Sequence, residues 1–395
     1  MKTVALGEVA KFIRGVTFKP GDVLDEANAS STGVMRTKNV QSKLDLSDVL
    51  QIPRGLVRRE EQYLRGGDIL VSSANSWNLV GRCCWVPKLE KSAAIGGFVT
   101  GLRANSRELD ARYLYHWFSS PRTQATVRNT ANQTTNIANL NLRLCEALRL
   151  PLPPLDEQRR IAAILDHADA LRVMRRRSVD ALAELNDAAF IDCFGHVPEP
   201  STLLNDVATV SSGITKGRRT TDATSPMPYL AVANVQAGRL ELSSVKTIDA
   251  TSSEIERYRL KFGDLVLTEG GDPDKLGRGT VWRDELPLCL HQNHIFRVRI
   301  QDSSSLHPDY LSAFISSNQS RSYFLKSAKQ TTGIASINMT QLKALPVHVP
   351  TAEAQLRYLD LIQSINAQRA TVVASASSFD RLFASLQSRA FRGEL

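Results

Sequence analysis

Apolar residues recur at steps of three and four from Ile161 onward, at Ile164, Leu165, Ala168, Leu171, Met174, Val179, Leu182, Leu185 and Ala189. No Pro or Gly interrupts them before Gly195, so the spacing predicts a long helix with one apolar stripe and Asp156 as its N-cap. The same rhythm returns at Tyr358, Ile362, Ile365, Val372, Ala376, Phe379, Phe383, Leu386 and Ala390, with Thr351 as the candidate cap. Each helix follows a rigid extended segment, Pro151-Leu152-Pro153-Pro154 in one case and Val347-His348-Val349-Pro350 in the other.

Ahead of each helix the pattern is shorter and mixed. A short amphipathic segment (Val4 to Phe12, Leu203 to Val210) leads into a Gly-containing loop rich in basic and hydroxyl residues. Gly66-Gly67-Asp68-Ile69-Leu70-Val71-Ser72 and Phe262-Gly263-Asp264-Leu265-Val266-Leu267-Thr268 each read as a turn feeding a buried strand. A helix is expected around Asp110 to Phe118, matched by Pro308 to Ile315.

These correspondences are an internal duplication. Leu6-Gly7-Glu8-Val9-Ala10 is answered by Leu204-Asn205-Asp206-Val207-Ala208, and Gly15-Val16-Thr17 by Gly213-Ile214-Thr215. In order along both halves, Asn39-Val40-Gln41 pairs with Asn234-Val235-Gln236, Gly81-Arg82 with Gly277-Arg278, and Tyr113-Leu114 with Tyr310-Leu311. Gln133-Thr134-Thr135 then answers Gln330-Thr331-Thr332, and Glu157-Gln158 stands where Ala354-Gln355 stands. A period of about 200 residues excludes solenoids and propellers, whose repeats run roughly 20 to 50. Each half is long enough to hold its own core.

Composition adds a partner class. The chain has 395 residues, 42% of them hydrophobic, as in an ordinary folded protein. Its net charge of +9 favours a polyanion through phosphate contacts and counterion release. No run of about 18 apolar residues and no signal-peptide core is present, so a soluble cytoplasmic protein is expected. Cys83, Cys84, Cys145, Cys193 and Cys289 form no C-x-x-C pair and read as reduced thiols, mostly packing as small hydrophobes. His291 and His294 could share a metal, yet no Cys or carboxylate lies at ligand spacing beside them, and no metal is expected.

A stripe on a helix too long for one small domain needs a partner, and the two helices are each other's counterparts. They are expected to pack as an antiparallel coiled coil. From Asp156 to Phe190 such a rod measures roughly 50 Å at the helical rise, on the order of 15 base pairs of DNA.

Two copies of a mixed domain, each closed by a Pro-rich strand and a long helix opening like Leu155-Asp156-Glu157-Gln158-Arg159-Arg160-Ile161, resemble the specificity subunit of type I restriction-modification systems. The resemblance covers the whole chain and is strongest at Leu150 to Gln158, at the two Gln-Thr-Thr stretches and at the terminal Ala390-Phe391-Arg392-Gly393-Glu394-Leu395. It implies an α+β fold: two duplicated mixed α/β target-recognition domains, at 1–154 and 196–350, separated by spacer helices at 155–195 and 351–395. It further implies a non-catalytic reader of double-stranded DNA, each domain reading one half of a bipartite asymmetric site. Two methylation subunits using S-adenosylmethionine would dock on the helices, and two restriction subunits using ATP and magnesium would join for cleavage. The chain itself would bind no cofactor. Thr351-Ala352-Glu353-Ala354-Gln355 departs from Leu155-Asp156-Glu157-Gln158, so docking at the two helices need not be equivalent.

Phosphates call for Lys, Arg or small donors on loops, and bases for forked side chains. In the first half the candidates are Arg14, Thr17, Lys19, Arg36, Lys38, Asn39, Ser72, Asn75, Trp77, Asn78, Arg82, Gln133, Thr134 and Thr135. In the second they are Lys216, Arg218, Arg219, Asn234, Thr268, Glu269, Asp272, Lys275, Arg278, Gln330, Thr331 and Thr332. Asn39 and Asn234 either touch DNA or stabilise a turn; Trp77 either stacks or packs. Ser73-Ala74-Asn75-Ser76-Trp77-Asn78 differs wholly from Glu269-Gly270-Gly271-Asp272-Pro273-Asp274, so the halves should read different sequences. Asp68 and Asp264 look like strand-entry turn residues.

An enzyme is the competing class. The chain has no phosphate-binding G-x-x-x-x-G-K-[ST], and its one Pro-Pro, Pro153-Pro154, lacks the Asn/Asp and aromatic flanks of an adenine methyltransferase. A protein scaffold that binds no DNA is the other alternative.

Overall fold

The computed structural model describes residues 2–134, 137–195, 202–217, 221–271, 276–331 and 334–395, of which 183, 187, 329–331 and 334 are described by their backbone alone. These residues form two compact units: Met1–Arg177 with Val373–Leu395, and Ser178–Val372. Neither long helix is therefore a segment apart. Each gives one end to the first unit and the other end to the second.

The core of the first unit is a four-stranded antiparallel sheet ordered Ala10–Arg14, Val99–Ala104, Ile69–Ser72, Cys83–Trp85. The second unit repeats the order with Ala208–Ser212, Ile295–Ile300, Leu265–Thr268 and Gly279–Val281. Ile69–Ser72 and Leu265–Thr268 are continuous apolar runs closed by a hydroxyl, and every residue in them is buried, as a strand covered on both faces requires. The strand-entry aspartates do more than turn the chain. Asp68 takes two 2.6 Å bonds from Arg103 on the adjacent strand, and Asp264 takes the same two from Arg299. Their backbone-facing oxygens also cap Arg65 N and Lys261 N, as the turn reading expects.

Two smaller three-stranded sheets recur in each unit. Leu50–Pro53, Ser31–Met35 and Ala93–Ile95 correspond to Lys246–Ala250, Ser225–Leu230 and Leu290–His291. Ala131–Gln133, Ala138–Leu140 and Ala74–Asn75 correspond to Lys329–Thr331, Ile334–Ser336 and Gly270–Gly271. The repeated Gly15 and Gly213 are explained by close approach: a Cβ on either would stand 1.8 Å from the carbonyl oxygen of Gly96 or His291.

Helices form at Ala111–Phe118 and Pro308–Ser316, where the pattern places them. Each is followed by a second helix that the pattern did not reveal, Pro121–Asn129 and Asn318–Ser327, because their outer faces are too polar to show a stripe. The chain then returns to its beginning: Thr3–Ala5 pairs with Arg149–Pro151, and Thr202–Leu203 with Pro346–Val347. Tyr113 donates its hydroxyl to Pro151 O, and Tyr310 donates to His348 O, which locks each closing strand to its helix.

The long helices span Leu155–Phe194 and Ala352–Ala390. Thr351 caps the second through Ala354 N, whereas Asp156 lies inside the first turn of the first, where Pro154 O accepts from Glu157 and Gln158. A buried glutamine fixes each helix start. Gln158 accepts from Asp110 N and donates to Glu108 O and Pro153 O; Gln355 accepts from His307 N and donates to Ser305 O and Pro350 O. The departure around Thr351 thus spares the glutamine and falls on exposed neighbours.

In the first unit the helices run antiparallel: Arg160 reaches Leu395 O, while Arg176 reaches Asp380 at 2.9 Å and Arg172 lies over the Phe383 ring. In the second, Phe190 and Phe194 pack edge-on against Tyr358. The apolar stripe is not covered throughout. Met174 is 62% and Leu185 47% exposed, although their spacing matches the buried Leu165, Ala168 and Ala189.

Candidate nucleic-acid interface

The loop after Ile69–Ser72 is the natural centre of the site in the first unit. Its strand Ala74–Asn75 pairs with Ala138–Leu140, which pairs in turn with Ala131–Gln133, so the variable loop and the Gln-Thr stretch share one sheet. Gln133 and Thr134 are exposed on it, with Thr134 donating to Ile137 O. Beside them Trp77 is 37% exposed, Asn78 is exposed, and Asn75 is half-buried against Ser72 Oγ at 3.0 Å. Trp77 is thus a partly covered ring. Thr17 and Lys19 are exposed on the first loop, and Arg14 is exposed at the end of its strand.

Sequence reasoning missed Phe98. Its carbonyl accepts from Ser73 N and Ala74 N, so the ring sits at the root of the variable loop, and it is 68% exposed. The turn Gly96-Gly97 before it was the available signal, since a large apolar residue at a tight turn has little core to enter.

The second unit builds the same platform from different chemistry. Glu269 N bonds to His294 O in the place of the Ser73–Phe98 contact, and the Glu269 carboxylate meets His294 Nδ1 at 2.7 Å. His291 lies apart from this pair, fully buried, with Nδ1 2.9 Å from Tyr258 O. The two histidines therefore do not converge on one point. Gly270–Gly271 pairs with Ile334–Ser336, which pairs with Lys329–Thr331, so Gln330 and Thr331 hold the backbone place of Gln133 and Thr134. Lys216 is exposed. Thr135, Arg218, Arg219, Asp272, Lys275 and Thr332 lie outside the described residues, as do the side chains of Gln330 and Thr331.

Four candidates are removed by burial. Ser72 and Thr268 are fully enclosed at the strand ends. Asn39 is 1% exposed, and its amide is spent: it donates to Asp45 O and Asp48 O and accepts from Arg36 N. Asn234 does likewise with Glu241 O, Ser244 O and Ala231 N. These asparagines brace a loop and do not reach a ligand. Arg36 and Lys38 both pair with Asp48, at 3.1 and 2.6 Å, which leaves them at the surface with their charge partly answered. The two lysine and arginine hydrogen bonds hold the Asp48 carboxyl below the usual carboxylate range.

Arg82 and Arg278 are half-buried at matched positions and each donates to a glutamine, Gln41 at 2.9 Å and Gln236 at 3.2 Å. Burial pushes the Cys84 and Cys289 thiols up to about 12, so these two are packing residues with no nucleophilic character. Among the described residues no three His, Cys, Asp or Glu gather as metal ligands, and no helix is long and apolar enough to cross a membrane.

The geometry is that of two platforms with one plan and two surfaces. The family described as "Type I restriction modification DNA specificity domain" matches residues 1–178. The type I restriction enzyme EcoKI specificity subunit of Escherichia coli (strain K12) is 23% identical, over 98% of this chain and 87% of the relative. The StySPI specificity subunit of Salmonella potsdam is also 23% identical, over 100% and 89%. A chain from a structure titled for complex assembly and conformational transition of the type I R-M system is similar in fold, with TM-score 0.62 at 17% identity and coverage of 100% and 98%. The type I restriction-modification S subunit from M. genitalium gives TM-score 0.51 at 13% identity, over 99% and 96%.

Proposed function

We propose that this chain is a specificity subunit of a type I restriction-modification system, the DNA-reading subunit of such a complex. The observation that carries the reading is the repetition of one framework under two unlike loops. Sheet order, Asp–Arg pair, Asn brace and Gln clamp are common to both units, while Trp77, Asn78 and Phe98 face solvent in one and Glu269 with His294 in the other. A shared frame presenting unlike surfaces suits a bipartite, asymmetric site.

In the first unit an aromatic pair with Asn78 and Gln133 offers stacking faces and forked amides to base edges. In the second, a carboxylate can accept from a cytosine amino group, and the His294 ring beside it orients that carboxylate. The long helices act as a coiled-coil spacer and as the seat of two methylation subunits, which carry S-adenosylmethionine; where two restriction subunits join, they bring ATP and magnesium. The chain performs no catalysis.

Duplex binding by the chain with its methylation partner tests this. Affinity should favour one sequence and fall steeply as salt rises; equal binding to all sequences contradicts it, and no binding at any salt favours a protein scaffold. Inserting one helical turn near Arg175-Arg176-Arg177 should change the tolerated spacer and leave both half-sites intact. Altered half-site letters would refute the spacer role.

A further inference from the structure

Two repeated words of the sequence, Asn-Val-Gln and Gly-Arg, come together in space in both units, and the DNA-reading role alone does not explain why. Gln41 and Gln236 each donate Nε2 to a backbone carbonyl three residues back, Lys38 O at 2.7 Å and Ala233 O at 2.8 Å. That bond fixes the amide and turns its oxygen outward. The oxygen is met by Nη1 of Arg82 in one unit and of Arg278 in the other. The loop carrying each glutamine is braced by Asn39 or Asn234 through backbone atoms six to ten residues ahead.

The arginines are equally fixed from below. Ser72 N donates to Arg82 O at 2.8 Å and Thr268 N to Arg278 O at 2.9 Å, so each stands where the variable loop rejoins the sheet. The preceding glycines have φ of +83° and +72°, and a Cβ on them would crowd Val127 and Phe324. Both guanidinium Nε atoms are enclosed with no hydrogen-bond partner among the described residues, and neither arginine has an acidic partner among the ion pairs there. Among the described residues each guanidinium is held by a neutral amide and is answered by no carboxylate, which suits it to an anion.

We propose that Arg82 and Arg278 are paired, sequence-independent phosphate contacts, and that Gln41 and Gln236 are positioning residues that pre-set their forks. Their identical mounting in two domains with unlike loops fits the one feature that two different half-sites have in common, the sugar-phosphate backbone. The inference rests on the DNA-reading role above and adds which residues anchor each domain irrespective of sequence.

The test uses the full chain assembled with its methylation subunits, a duplex carrying the methylated sequence found in the host genome, and a shuffled duplex of equal length. Arg82→Gln should lower affinity for both duplexes by about eightfold at about 0.1 M salt and shrink the slope of log affinity against log salt by about 0.9. Arg82→Lys should restore most of the slope, because a phosphate accepts a point charge where a base edge requires the fork. Gln41→Met, which keeps the charge and frees the guanidinium, should weaken both duplexes less than Arg82→Gln; Arg278 and Gln236 should behave in parallel. A loss confined to the methylated sequence would make Arg82 a base reader and overturn the proposal. An unchanged salt slope with a lower melting temperature would make the pair a structural strap and overturn it as well. If the unmutated complex itself showed no salt-dependent binding, the DNA-reading role would fail first, which separates the two failures.

Discussion

The two units place different side chains at equivalent points of one frame, and the differences sort by depth. At the loops the exchange is open: Phe98 in one unit, His294 with Glu269 in the other. Where helix meets domain it is partial. Phe391 packs edge-on against Tyr113 as Phe194 does against Tyr310, yet Gln387 donates to His116 O in the first unit while Phe190 stacks on Tyr310 in the second. In the sheet one exchange stands out. Val16 N bonds to the carbonyl of buried Ile95, and Ile214 N to that of buried His291, so a titratable ring occupies an apolar seat in the second unit alone. Surface exchanges alter what is read; a buried one alters the conditions under which the unit stays folded.

The largest expected effect follows from that seat. Burial, reinforced by the Arg297 charge, lowers the His291 pKa from 6.5 to about 3. Between those values the unfolded chain takes up a proton that the folded chain refuses. The contribution of a neutral His291 to the second unit's stability is therefore fully present above about pH 6.5, and on the order of 4–5 kcal/mol of it is lost as pH falls towards 3. Denaturant titrations across this window should show the loss, and His291→Ile should flatten it. A chain whose acid sensitivity is unchanged by His291→Ile would break the comparison.

Next comes the shared aspartate–arginine pair. Asp68 and Asp264 are almost wholly enclosed, so removing the arginine strands a buried carboxylate, at about 3–5 kcal/mol. Arg299 is more exposed than Arg103, 30% against 16%, so Arg103→Ala should cost more than Arg299→Ala. Equal midpoints in urea would show that solvent does not soften the second site. The glutamine clamps sharpen the comparison from the other side. Gln158→Ala and Gln355→Ala each leave one buried donor and two carbonyls unpaired and should cost about 2–3 kcal/mol apiece, with little difference between them.

How much of this was legible in sequence depends on distance along the chain. The duplication, the buried strands and both long helices declare themselves through local period and composition. The meaning of the repeated words does not. Asn39 braces carbonyls six and nine residues ahead, so its sequence left turn and DNA contact equally open, and Arg82 meets a glutamine 41 residues away, so it looked like a free side chain on a loop. Ser72 and Thr268 read as loop residues because a hydroxyl at a strand end looks the same whether the next turn covers it or not. Met174 and Leu185 erred in the opposite direction: periodicity gives the face of a helix but not how far its partner extends along it. The Glu269–His294 pair spans 25 residues, a separation that no local ligand spacing contains.

The central claim is that one framework carries two independent readings. Its most direct test is to sequence the methylated adenines of a host carrying this chain, and again after residues 1–150 are exchanged for those of a relative. The account predicts a bipartite asymmetric motif in which one half-site alone changes, with the other half and the spacer retained. A motif that changes in both halves, or that survives the exchange untouched, would contradict it.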